Sequence, residues 1–135
     1  MPKRVLRPTN LSFQPRPEYP YSPGTRGGRL VYTAGQVAWS ERAEIVGIGD
    51  PGAQTEQVLR NVESVLLEGG ATLADVLKCN VYLADMRYFQ AMNEAFARFF
   101  PTDPPARTTV QAALAEPEML VEIEAIAYVE DAATS

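Results

Sequence analysis

The stretch PPARTTVQAALAEPEMLVEIEA, Pro104–Ala125, holds two apolar runs joined by the turn-like AEPE. Read as strands, they cover roughly 107–114 and 119–129. One arginine stands at the head of the first, and Glu-Ile-Glu interrupts the second. In the second strand Val121, Ile123, Ala125, Ala127 and Val129 share one face, and Glu122, Glu124, Ile126 and Tyr128 share the other. The first face is core. The other is half apolar and half charged, which is odd for a solvated surface and suggests burial against a second subunit. Arg107 and a glutamate across such a sheet are open to two readings: a plain ion pair, or a carboxylate clamp with a water-activating base beside it.

Working outward, MRYFQAMNEAFARFF (86–100) carries Phe89, Met92, Phe96, Phe99 and Phe100 at helical spacing and is stopped by PTDPP. DVLKCNVYLAD (75–85) alternates Val76, Lys78, Asn80 and Tyr82 against Leu77, Cys79, Val81 and Leu83, a strand pattern. Val58, Val62, Val65 and Leu66 predict a helix over 54–68, ended by the glycines at 69–70. GGRLVYTAGQVAW (27–39) reads as a strand interrupted by Gly35, AEIVG as a brief strand, and the glycine-rich segment around Asp50 as a turn without the lysine of a phosphate loop. Residues 1–23 hold six of the eleven prolines, and Phe13, Tyr19 and Tyr21 would be wasted in solvent, so an ordered arm is expected there. The order β-β-α-β-α-β-β predicts one α+β domain over 1–135, with two helices on one face of a mixed sheet.

At 135 residues the chain is long enough for one core, and 46% apolar with 21% charged residues is ordinary for a soluble globular protein. The net charge of -5 argues against a nucleic-acid surface. No apolar run approaches a membrane span and no hydrophobic leader opens the chain, so a cytoplasmic location is expected. The sequence contains no histidine, which removes the commonest general base, triad partner and metal ligand together. One cysteine, Cys79, reads as a buried inert thiol. Chemistry must then rest on carboxylates, arginine, tyrosine, threonine, backbone groups or water, and no metal site is expected.

The segments PYSPGTRGGRLVYTAGQ, TEQVLRNVESVLLEGGATLADVLKCNVYLADM, FQAMNEAFARFF and above all PARTTVQAALAEPEMLVEIEAIA resemble the RidA (reactive intermediate deaminase, YjgF-like) family over about 20–129. The resemblance implies a homotrimer of chorismate-mutase-like subunits around a barrel-like centre, with ligand sites between subunits. It implies hydrolysis of enamines or 2-imino acids, such as 2-aminoacrylate, to 2-keto acids and ammonia, without metal or organic cofactor. By the same resemblance Arg107 binds the substrate carboxylate and Glu122 positions or activates water. Tyr21, Ala34, Gly35 and Asn93 line the site, while Glu124 supports it. Thr109 stands where archetypal members carry cysteine, so its hydroxyl needs a partner when buried. Two further functions stay open: a pathway-specific deaminase of an aminoacrylate- or aminomuconate-type intermediate, and a non-enzymatic ligand-binding or chaperone-like trimer. An RNA-cleaving role fits the acidic, histidine-free chain poorly.

Overall fold

The structure, a computed structural model, describes residues 2–9 and 19–130. Six strands, β1 (Arg4–Leu6), β2 (Gly24–Gly27), β3 (Leu30–Thr33), β4 (Val76–Leu83), β5 (Ala106–Gln111) and β6 (Val121–Tyr128), form one sheet. Their order is β1-β2-β3-β6-β4-β5. β4 and β5 run parallel and every other pairing is antiparallel, so the sheet is mixed. Helices α1 (Pro51–Glu68) and α2 (Phe89–Phe99) lie together on one face. The expected α+β architecture is thus present. No described helix is long and apolar enough to cross a membrane.

The core lies between the helices and the alternate residues of the central strands. Val58, Leu59, Val62, Val65 and Leu66 of α1 pack with Met92 and Phe96 of α2 over Cys79, Val81 and Leu83 of β4 and Val121, Ile123, Ala125 and Ala127 of β6. Asp50 begins α1 as its cap, its Oδ1 accepting from the Ala53 N–H at 3.0 Å, with Pro51 in the first turn where its missing N–H costs nothing. The helix stops at Gly69, and Gly70 follows with φ +83°, a left-handed position suited to glycine. The guanidinium of Arg26 donates to the Gly69 carbonyl at 2.7 Å and so closes the same helix end.

Several elements depart from the sequence reading. The stretch 27–39 is not one strand: β3 takes only Leu30–Thr33 of it, Gly27 ends β2, the two turn through Gly28 (φ +56°), and 36 rejoins the sheet only by a bridge to Ile123. AEIVG is reduced to a single bridge between Trp39 and Ile45. The alternation in β4 breaks at Leu77. Val76 pairs with Ala127 and Lys78 with Ile126, so Leu77 is an extra residue, 57% exposed, while Val76 stays buried. Cys79 follows at the core-facing position. β5 ends at Gln111, three residues short of expectation, because its neighbour β4 ends at Leu83 and offers no further partner. The first turn of the aromatic helix, Met86–Tyr88, is 3₁₀. Within the arm expected over 1–23, residues 1 and 10–18, Phe13 included, lie outside the described ones.

Candidate active site

Glu122 and Arg107 are carried by the same sheet on opposite faces. Arg107 lies beside Cys79 in the parallel ladder, and Cys79 lies beside Ala125, both of them buried on the helix side. Glu122 and Glu124 alternate with Ile123 and Ala125 and therefore face away from the helices. The simple ion pair left open above does not form within one chain.

On the open face, Glu122 sits in a cleft of about 840 Å³ with Tyr21, Ala34 and Gly35. The cleft owes its shape to a mismatch in pairing. Between the Tyr32–Ile126 and Gln36–Ile123 pairs, the first segment spends one residue more than β6. The surplus bulges out at Ala34 and Gly35, and the Thr33 hydroxyl accepts the Ala125 N–H at 3.0 Å in place of a ladder bond. A Cβ on Gly35 would overlap the Glu122 carboxylate, so glycine is what allows that carboxylate to lie against the backbone. The Ala34 N–H is engaged by the Pro23 carbonyl at 2.8 Å.

Burial pushes the Glu122 carboxyl above its ordinary proton affinity, and the neighbouring Glu124 charge adds to this. Glu124 in turn accepts a hydrogen bond from the Tyr82 hydroxyl at 2.7 Å; Tyr82 is the cross-strand partner of Glu122. Tyr21 at the cleft wall is also pushed up, by burial first and by the Glu122 charge second.

On the helix face, Arg107 is fixed by α2. Its Nη2 donates to Asn93 Oδ1 at 2.6 Å, and its guanidinium carbon lies 5.0 Å from the Phe96 ring centroid and 5.6 Å from that of Phe89. Partial burial lowers its proton affinity, while the adjacent Cys79 opposes that shift. Asn93 is therefore bound to Arg107 rather than an idle polar position. Thr109, two residues along on the same face, has its hydroxyl oxygen buried with no hydrogen-bond partner among the described residues. An unmet hydroxyl costs about 1–3 kcal/mol. Cys79 is buried and its thiol is pushed up to about 12, so it is not a nucleophile at neutral pH.

The sequence-predicted residues thus fall into two groups, Tyr21, Ala34, Gly35 and Glu122 in the cleft, and Arg107, Asn93 and Thr109 at the β5 edge. Three supporting residues were missed. Gln54, fully buried, donates to the Glu118 carbonyl at 2.7 Å and accepts from the Leu120 N–H at 2.9 Å, which sets the loop entering β6. Asn61 donates to the Val37 and Trp39 carbonyls, both at 3.0 Å, and holds the cleft wall. Trp39 supplies part of that wall. The signal was available for the first two: Gln54 and Asn61 interrupt the apolar stripe of α1 at its own spacing, where a polar side chain must have a partner. Among the described residues no group of three or more Asp, Glu or Cys side chains is placed to hold a metal ion.

Known proteins share this fold. The family model described as Endoribonuclease L-PSP matches residues 12–129. A Rid-family protein from Yersinia pestis, YyfA, is 32% identical, with 95% of this chain and 100% of that one covered at a TM-score of 0.84. Rv2704 from Mycobacterium tuberculosis, a member of the YjgF/YER057c/UK114 family, is 40% identical over 81% of this chain and 86% of its own, with a TM-score of 0.71. TdcF from Escherichia coli, solved with bound serine, is 28% identical over 94% and 99% of the two chains, with a TM-score of 0.83. The pairing of fold, cleft and signature segment has a family explanation: the chain belongs to the Endoribonuclease L-PSP family, the YjgF/RidA proteins.

Proposed function

We propose that this protein is a hydrolytic deaminase that converts enamines and 2-imino acids to 2-keto acids and ammonia, working as a homotrimer with sites between subunits. The observation that carries the reading is the Glu122 carboxylate, half-buried against Gly35 with its proton affinity raised, inside a cleft open to a small molecule. Such a carboxylate can hold a water and accept its proton near neutral pH. In the reaction, an enamine tautomerises to its imine. Water, losing a proton to Glu122, adds to the imine carbon while the C=N π electrons move to nitrogen. Glu122 returns that proton to the nitrogen, the hydroxyl proton then passes to the amine, and the C–N bond breaks as the C=O bond forms, releasing ammonia and leaving Glu122 ionised as at the start. Water and imine are consumed one to one.

Arg107 is proposed to bind the substrate carboxylate through its planar paired donors. Because it lies on the other face of the sheet from Glu122, a site using both needs Arg107 from a second copy. Two features favour such assembly. The open face exposes Leu30, Tyr32, Val110 and Tyr128 around its charged residues, an apolar surface suited to a partner. The buried Thr109 hydroxyl beside Arg107 lacks a partner that a ligand or a second subunit could supply. The serine bound by the similar TdcF supports an amino-acid-shaped carboxylate as ligand. The description endoribonuclease that comes with the family gains no support from a chain of net charge -5.

The test is keto-acid formation from 2-imino acids generated in place by an amino-acid oxidase. Glu122→Gln is expected to lose about 10²- to 10⁴-fold in kcat, the range of a general base. Arg107→Ala should be similarly poor. Co-refolding the two inactive variants should restore part of the activity, since some mixed sites then hold both native residues. No restoration from two variants that still assemble would overturn the shared site.

A further inference from the structure

We propose, building on the deaminase reading, that the cleft selects 2-imino acids with a bulky apolar or aromatic side chain over small ones, with Trp39 setting that preference. Beyond Glu122 and Gly35 the cleft walls are Tyr19, Tyr21, Pro23, Val37, Trp39 and Met119. Its two amide side chains are bonded within the protein. Gln36 donates to the Ala34 carbonyl at 3.3 Å. Asn61 gives its amide hydrogens to the Val37 and Trp39 carbonyls and accepts from Gln57 at 3.0 Å. Apart from the Tyr19 and Tyr21 hydroxyls the remaining walls are mainly apolar, so a polar substrate side chain would lose more hydration than it regains, a loss that an apolar side chain does not incur. Among the described residues the charged groups in the cleft, Glu116 and Glu122, are both anionic and disfavour an acidic side chain.

Size points the same way. A cleft of about 840 Å³ lies in the range that accepts drug-sized ligands. 2-Aminoacrylate, with a handful of non-hydrogen atoms, is small against that volume. A side chain reaching the indole of Trp39 buries further apolar surface, and each added methylene in such a pocket changes kcat/KM by roughly 10- to 200-fold. The backbone of Trp39 is held to Asn61 and Val37 by hydrogen bonds that a substitution of its side chain leaves in place.

The experiment compares imines made from phenylalanine, leucine, alanine and lysine, and in parallel measures thermal stabilisation by phenylpyruvate and by pyruvate. The phenylalanine- and leucine-derived imines should exceed the alanine-derived one at least tenfold in kcat/KM. Trp39→Ala should reduce that ratio at least tenfold, and Ala115→Trp, which narrows the cleft from the opposite loop, should reduce it as well if Trp39→Ala fails to fold. Equal rates, or faster turnover of the alanine- or lysine-derived imine, overturn the preference while leaving the deaminase reading intact. No turnover of any imine, with greater stabilisation by phenylpyruvate than by pyruvate, overturns the deaminase reading and keeps the apolar pouch. Neither turnover nor a phenylpyruvate preference overturns both.

Discussion

Arg107 and Glu122 are held by one sheet in opposite ways. The guanidinium of Arg107 is clamped on the helix side, between the Phe89 and Phe96 rings and against the Asn93 amide. The carboxylate of Glu122 rests in a gap made by a missing side chain at Gly35, with the like charge of Glu124 near it. A clamped cation keeps its charge and its direction, as a recognition group requires. A carboxylate partly stripped of water and facing another anion is pushed to bind protons more tightly, as a base working near neutral pH requires. The helix face therefore supplies fixed geometry, and the open face supplies titration.

The contrast can be broken at the arginine with the largest effect. Arg107→Lys keeps the charge but loses the planar fork and its stacking on Phe96. It should lower kcat/KM roughly ten- to a hundredfold, mainly through KM, the range of charge-assisted hydrogen bonds. Wild-type KM in that variant would mean that charge alone suffices and that the aromatic clamp is irrelevant to binding.

Gly35→Ala tests the other half and should cost about tenfold in kcat. The added methyl must displace the end of a flexible side chain, the Glu122 carboxylate, so the fold should survive while the proposed base is misplaced. Gly24→Ala is the control for a different consequence. There a Cβ would meet the Val65 side chain and, at 2.7 Å, the Tyr32 carbonyl of the backbone, and stability should fall. Circular dichroism melts beside the imine assay separate the two outcomes.

The smallest effect sharpens the titration half. Glu122 binds its proton more tightly folded than unfolded. As pH rises from the ordinary carboxylate range through the raised folded value, the unfolded chain has already lost this proton and the native one has not. Ionising the native carboxylate therefore costs stability across that window, and the cost persists above it. Glu122→Gln should raise Tm slightly at neutral pH and not at pH 4. The gain should stay under about 1 kcal/mol, because a half-exposed group is screened by water. A Tm that falls at neutral pH would show that the charge is stabilised rather than strained.

Much of this molecule is legible from local pattern. The two helices follow from apolar spacing closed by Gly69 and by PTDPP, and the faces of β6 follow from strict alternation. The signature around Arg107 and Glu122 marked both residues. The extra residue at Leu77 was hidden, since alternation assumes that each residue has one partner and a bulge breaks that assumption only in the context of the neighbouring strand. Strand β2, GTRG, was hidden too, because two of its four residues are glycine and its pairing partners β1 and β3 hold it extended.

Periodicity along a chain reports which residues share a face, and so it determined the elements, the core stripe and the oddly charged row of β6. It carries no information about pairing between segments distant in sequence. Only the folded sheet decided that Arg107 and Glu122 face opposite ways, because that depends on β5 lying parallel to β4 with Arg107 beside Cys79. The same holds for the cleft, which exists because the segment 32–36 is one residue longer than the part of β6 it spans. Both facts come from register, a long-range property set by packing rather than by any local preference.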